Sequence, residues 1–127
     1  MDKKAAKLAY KLSHRPMGVF QIRNLVNEKS FVGSTTDLSA MFNRIRFQLD
    51  AGAHPTKSLE SDWKQLGPEK FEFEVLEEVF PREDPNYDYV ADLETLEDLW
   101  LEKLEPYGEK GYNEKKKTRE ERLRMIA

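Results

Sequence analysis

The sequence predicts a small layered α/β domain, in which three β-strands are flanked by helices. The two ends of residues 18–33 and the first part of 71–77 alternate apolar and polar side chains, as half-buried strands do. Residues 37–50 and 90–105 repeat apolar side chains at helical spacing. The 127 residues contain no internal repeat, so we expect a single domain. The third strand can complete an antiparallel sheet with the hairpin, although sequence alone does not determine this pairing.

The N-terminal part of the chain is predicted to be a basic helix followed by a β-hairpin. Residues 2–12 form an amphipathic pattern that should end before Pro16. Residues 17–23 and 29–34 are expected to be the two arms of the hairpin, joined by a turn at Asn27-Glu28.

Two helices should follow the hairpin. Thr36-Asp37 offers an N-cap for a helix over 37–50. A shorter helix is expected over 57–66, where Gly67-Pro68 would end it.

The C-terminal half should contain the third strand and a long helix. Residues 71–77 are the strand, and an irregular, proline-marked stretch covers 81–89. The helix over 90–105 precedes Pro106, and a loop with two glycines leads to a basic tail that we also expect to be helical.

Charge is distributed unevenly along the chain. The net charge is −3, but residues 1–16 carry +4 and residues 114–127 carry +3, which leaves −10 on residues 17–113. We therefore predict a basic N-terminal helical extension, a domain and a basic C-terminal helical tail with these boundaries. Because nucleic-acid-binding proteins usually present a basic surface, DNA or RNA would be bound through the two ends. Solvated helix faces explain the same charge pattern.

Composition excludes several kinds of site. Without cysteine there can be no disulfide, thiolate metal site or cysteine nucleophile, and this suits a reducing cytosol. No run approaches the ~20 apolar residues that a membrane span needs, and the N-terminus lacks an apolar signal core. We therefore expect a cytoplasmic protein without a membrane partner.

One carboxylate lies within an apolar helix face. The apolar arc of the helix over 90–105 contains Leu93, Leu96, Trp100, Leu101 and Leu104. Glu97 falls inside this arc, where an unpaired carboxylate would be costly. It can be a salt-bridged or hydrogen-bonded structural residue, or a ligand for a divalent cation such as Mg²⁺ or Mn²⁺.

Several short motifs occur in order along residues 18–113. They are Gly18-Val19-Phe20, Phe31-Val32-Gly33-Ser34, the run 57–63, Gly67, the run 71–77, Glu97 and Gly111-Tyr112-Asn113. In this order and spacing the chain resembles the GIY-YIG nuclease family. The resemblance implies a three-stranded antiparallel sheet packed with helices, and metal-dependent hydrolysis of a phosphodiester bond.

The resemblance implies roles for some residues of this chain. A family glutamate that binds the metal corresponds to Glu97, and a supporting asparagine corresponds to Asn113. A histidine of some members corresponds to His54.

Other family positions have lost their chemistry. The two motif tyrosines correspond to Phe20 and Phe31, and the arginine that contacts phosphate corresponds to Met41. Phenylalanine cannot take a proton or hold a water through a hydroxyl, and methionine cannot neutralise phosphate. Each such loss typically costs a factor of ~10² or more in rate.

Substitutes for the lost groups are conceivable. Arg44, one turn after Met41, or Arg23 could replace the arginine, and His54 could act as a base. The alternatives are a solvated helix-face arginine and a loop histidine without chemistry.

Three functions remain open from the sequence. The chain is a catalytically degenerate member that binds nucleic acid or a protein partner, or it is an active endonuclease that needs Mg²⁺ or Mn²⁺. The third function is a protein-interaction module that uses the acidic region 81–105.

Overall fold

The computed structural model describes residues 15–84 and 86–115. These residues form two strands, two α-helices, a third strand and a third α-helix, in that order. The α/β class is therefore confirmed. The helix predicted over 2–12 and nearly all of the basic tail lie outside the described residues.

The three strands form one antiparallel sheet. Strand β1 (Met17–Asn24) lies between β2 (Ser30–Thr35) and β3 (Phe71–Val79) and pairs antiparallel with both. The pairing that the sequence left open is thus settled: the third strand joins the first arm of the hairpin. In this register Phe20 lies opposite Gly33, and the last residue of β1, Asn24, lies opposite the first residue of β3, Phe71.

A buried asparagine organises the hairpin turn. The Asn24 side-chain oxygen accepts hydrogen bonds from the amides of Val26 (2.9 Å) and Asn27 (3.4 Å). The Asn24 amide donates to the Lys29 carbonyl at 2.8 Å, which closes the turn. Glu28 takes a positive φ of 66° there, a conformation common in tight turns.

Three α-helices surround the sheet. Helix α1 spans Leu38–Asp50, α2 spans Lys57–Leu66 and α3 spans Tyr89–Leu104, each within one residue of its predicted limits. Asp37 caps α1 by accepting from the Ala40 amide at 3.1 Å, as its sequence position predicted. None of these described helices combines the length and apolar character needed to cross a bilayer.

The sheet separates two apolar layers. Phe20 and Ile22 of β1 face α1 and α2, whereas Val19 faces α3, because successive strand residues point to opposite sides. The larger layer contains Phe20, Ile22, Leu38, Ile45, Leu49, Leu59, Trp63, Phe71 and Tyr112. The smaller layer, under α3, contains Val19, Val32 and Leu101.

Candidate functional site

Phe20, at the position of the first motif tyrosine, is part of the core. Its side chain is 2% exposed and packs edge-to-face on Phe42, with ring centroids 5.5 Å apart. The tip of the ring lies over Gly33, where a Cβ would come within 2.8 Å of it. Gly33 is therefore needed because the Phe20 ring fills the space above it.

Phe31, at the position of the second motif tyrosine, lies at the rim of the same layer. It is half-buried, and its ring meets the His54 ring edge-on with centroids 5.7 Å apart. The structure therefore brings together two predicted site residues, Phe31 and His54, that lie on β2 and on the loop before α2.

His54 holds the start of α2 in place. Its Nδ1 accepts a hydrogen bond from the Thr56 amide at 3.0 Å, and its own amide donates to the Glu60 carboxylate at 3.0 Å. Burial lowers the pKa of His54, so the ring is neutral near pH 7. Because Nδ1 is already an acceptor, the proton of the neutral ring lies on Nε2, and neither nitrogen is ready to take a proton from water.

Helix α1 carries the position of the family arginine. Met41 is partly buried and packs against the core below α1. Arg44, one turn later, is exposed and makes no ion pair with any described residue. Arg44 is therefore a cation near Met41 that a phosphate could meet, and Arg46, two residues later, lies over the Phe73 ring at 4.3 Å.

Arg23 cannot serve as the substitute. Its guanidinium contacts the carboxylates of Glu74 at 2.9 Å and Glu72 at 3.0 Å, and both belong to β3. These two acids neutralise the charge that a phosphate would need.

Glu97 lies on the sheet-facing side of α3. It stands one turn after Leu93 and one turn before Leu101, both of which are buried, and Glu97 itself is half-buried. Helix α3 packs on β1 and β2, on the face of the sheet opposite Phe20. The helical spacing correctly placed Glu97 beside the apolar residues of α3, but its side chain remains partly exposed to solvent.

A metal at Glu97 would have few protein ligands. The described part of the chain contains no group of three or more acidic or histidine side chains that could hold a metal ion. A single carboxylate suits Mg²⁺ that keeps most of its waters and also binds substrate phosphates, and it does not suit a protein-only cage. A cation at Glu97 would therefore be held mainly by water and by the phosphates of a substrate.

Asn113 extends the edge of the sheet. Its side-chain amide donates to the Val32 carbonyl and accepts from the Val32 amide, both at 2.8 Å. The Tyr112 amide also donates to the Ser30 carbonyl at 2.9 Å. Asn113 thus pairs with β2 as a neighbouring strand would, and this supports the position of Phe31 between Ser30 and Val32.

The sequence analysis missed a buried polar cluster around Tyr112. The Tyr112 hydroxyl donates to the Asp62 carboxylate at 2.6 Å and accepts from the Asn24 amide nitrogen at 3.0 Å. Burial, and then this bond to Asp62, raise the pKa of Tyr112 to about 12. The three residues lie on separate elements, so no local pattern marks them, although Asp62 lies in the motif 57–63 and Tyr112 in the motif 111–113.

Comparisons of the sequence with family models and with curated proteins find no relative. No protein-family model matches the sequence. A search of the curated proteins gives no significant match either.

Two solved structures are similar over most of the chain. The catalytic domain of the homing endonuclease I-TevI aligns with 27% identity and a TM-score of 0.65, covering 79% of this chain and 99% of that domain. A structure of that domain with one glutamate replaced by alanine aligns with 28% identity and a TM-score of 0.66, covering 81% of this chain and 97% of that one. Their fold matches the one that the motif order in the sequence implies. The chain is therefore a GIY-YIG nuclease-like protein with the fold of that family's catalytic domain.

Proposed function

We propose that this protein binds nucleic acid on a GIY-YIG nuclease scaffold and has lost efficient phosphodiester hydrolysis. The observation that carries the proposal is the environment of Phe20. A ring that is 2% exposed and packed against Phe42 and Gly33 offers no hydroxyl with which to hold or deprotonate a water.

The other groups needed for hydrolysis are also missing or engaged. Phe31 has no hydroxyl, and its neighbour His54 already uses Nδ1 to hold the Thr56 amide. Met41 carries no charge, and Arg23 is neutralised by β3 carboxylates. Phosphoryl transfer depends on positioned charge and a positioned nucleophile. Loss of the groups that supply both should reduce the rate of hydrolysis by several powers of ten.

What remains is suited to binding. Arg44 is exposed and available to a phosphate, and Glu97 would be the residue that holds a hydrated Mg²⁺ or Mn²⁺. The metal, when bound, would supply positive charge close to a phosphodiester. The I-TevI domains are endonucleases by their names, and nucleic acid is the partner that this relationship suggests.

An active metal-dependent endonuclease is the second candidate. Its support is that a carboxylate and an exposed arginine, Glu97 on α3 and Arg44 on α1, are both present. In that case Arg44 would contact phosphate, and water would be activated without a tyrosine. The third function predicted from the sequence, protein binding through the acidic region 81–105, stays a prediction.

A paired assay separates the two main candidates. Single- and double-stranded DNA and RNA would be incubated with the wild-type protein and with Glu97→Ala in Mn²⁺, and binding of the same substrates would be measured in parallel. We expect binding without cleavage. Cleavage by the wild type that disappears in Glu97→Ala would overturn the proposed loss of hydrolysis, and absence of binding would overturn the proposed nucleic-acid function.

A further inference from the structure

We infer that α1 contacts an unpaired nucleotide, with the Phe47 ring stacked on the base and Arg44 on the adjoining phosphate. This inference rests on the proposed nucleic-acid function and adds to it the surface used and the strandedness of the ligand. Phe47 itself is not part of the site described above.

Phe47 is exposed to a degree that a core role does not explain. Its side chain is 74% exposed, whereas most described phenylalanine and tryptophan rings pack against other rings or lie in the core. Such packed pairs include Phe20–Phe42, Phe42–Phe73, Trp63–Phe71 and Phe31–His54. Single exposed rings are common on protein surfaces, so the exposure of Phe47 carries weight only together with the charge around it.

The charge around Phe47 favours a polyanion. Helix α1 carries two arginines and one aspartate, whereas α3 carries five acids and one lysine. The Asp50 carboxylate accepts a hydrogen bond from the Trp63 indole at 2.9 Å, and this bond turns it towards α2. Arg44 is exposed without an ion pair among the described residues. A phosphate backbone is therefore attracted to α1 and repelled by α3.

The spacing of the two side chains fits one nucleotide. Residues three apart on a helix are neighbours on its surface, so Arg44 and Phe47 lie side by side. Met41 stands three residues before Arg44, so the same surface leads back to the motif position on α1. An aromatic ring beside a cation is the usual device for binding single strands, because the ring stacks on a base while the cation meets the backbone. Bases in a duplex are already stacked, so the ring selects unpaired nucleotides.

The protein contains a matched control for this inference. Phe80, directly after β3, is 73% exposed, almost the same as Phe47. Residues 77–84 around it carry four acids and one arginine, so a phosphate backbone should avoid it. Phe80→Ala removes the same ring area from the surface and should leave binding unchanged.

The test measures affinity and its salt dependence for three variants. Phe47→Ala, Arg44→Ala and Phe80→Ala would be titrated against labelled oligothymidylate, oligouridylate and a DNA duplex at several salt concentrations. Loss of one stacked base should weaken single-strand binding about 5- to 150-fold in Phe47→Ala. The salt slope, which is the slope of log affinity against log salt concentration, should not change. Arg44→Ala should lower the slope by about 0.7 for each phosphate that the arginine neutralises in the wild type.

A spectroscopic readout reports the stacking itself. The fluorescence of an oligonucleotide that contains 2-aminopurine should change on binding to wild type and to Phe80→Ala, but much less on binding to Phe47→Ala at saturation. Circular dichroism would verify that each variant is folded, which we expect because both rings are exposed.

The outcomes separate this inference from the proposed function. If the wild type binds single strands and Phe47→Ala binds as tightly as Phe80→Ala, the stacking surface is wrong while nucleic-acid binding stands. If the wild type binds duplex more tightly than single strands, and Phe47→Ala changes the two affinities equally, the preference for unpaired nucleotides is wrong. If the wild type binds no oligonucleotide, both the proposed function and this inference fail.

Discussion

At the scale of single residues, the side chains at several motif positions pack against their neighbours. Phe20 fills the space above Gly33, and Met41 packs against the core. His54 uses its ring nitrogen to hold the loop before α2. Exchanging a tyrosine for phenylalanine keeps the shape of the ring and removes the only group that could move a proton. The scaffold can therefore persist when hydrolysis is lost.

His54 gives the protein a testable pH dependence. Its pKa in the folded state lies below the ordinary value of 6.5 because of burial. As the pH falls below 6.5, the unfolded chain binds a proton at His54 while the folded chain does not yet do so. The free energy of unfolding should therefore be highest above pH 6.5 and should decrease as the pH falls to the folded-state pKa. Urea unfolding across this pH range should show the decline.

His54→Asn is the matched control for this effect. The asparagine side-chain oxygen can accept the Thr56 amide as Nδ1 does, but it does not titrate. We expect a flatter dependence of unfolding free energy on pH below neutrality. The same decline in both proteins would assign it to other groups.

At the scale of elements, the segment after α3 joins β1, β2 and α2 through polar contacts. Tyr112 joins β1 through Asn24 and α2 through Asp62, and Asn113 joins the edge of β2 through Val32. Gly111 lies so close to the Pro106 carbonyl that any side chain would overlap it. This segment therefore fixes three elements relative to one another with a few polar contacts.

Tyr112→Phe tests that arrangement. Removing the hydroxyl leaves the fully buried Asn24 amide without one of its partners, and an unsatisfied buried polar group costs about 1–3 kcal/mol. Chemical denaturation should show a loss of this size. Tyr107→Phe serves as the control, because the Tyr107 hydroxyl makes no hydrogen bond within the described part of the chain. Equal stability of the two variants would contradict the role of the cluster.

At the scale of the whole molecule, charge is separated between surfaces and between segments. The domain is acidic, above all on α3, while α1 carries the exposed Arg44 and the two ends of the chain are basic. A nucleic acid that approaches this protein is therefore attracted to a small part of it. Helix α1 and the basic ends should each bind nucleic acid weakly, and this binding should depend strongly on salt concentration.

Removing residues 116–127 tests how the parts share the binding. This segment holds five basic residues and two acidic ones. Its removal should weaken binding to all oligonucleotides and lower the salt slope, whereas Phe47→Ala should weaken only single-strand binding. Fluorescence anisotropy at several salt concentrations distinguishes the two. An unchanged slope after truncation would exclude the tail from the interface.

The strands and helices could be predicted well because their patterns are local. Asp37 caps α1 at its predicted place, and residues 57–66 form the predicted helix. Glu97 was also correctly placed beside an apolar face, because helical spacing alone determines its neighbours within α3. The partners of Arg23 could not be predicted, since Glu72 and Glu74 lie on a strand about fifty residues away whose pairing was open.

Residue types and their spacing along the chain are enough to establish the fold class, the element order and the lack of hydroxyls and charge at Phe20, Phe31 and Met41. Three further properties depend on the folded molecule. His54 is engaged with Thr56, Tyr112 joins Asn24 and Asp62, and Phe47 is exposed while Phe42 is packed. Whether a polar or aromatic side chain is available to a partner depends on groups distant in sequence, and only folding brings those groups together.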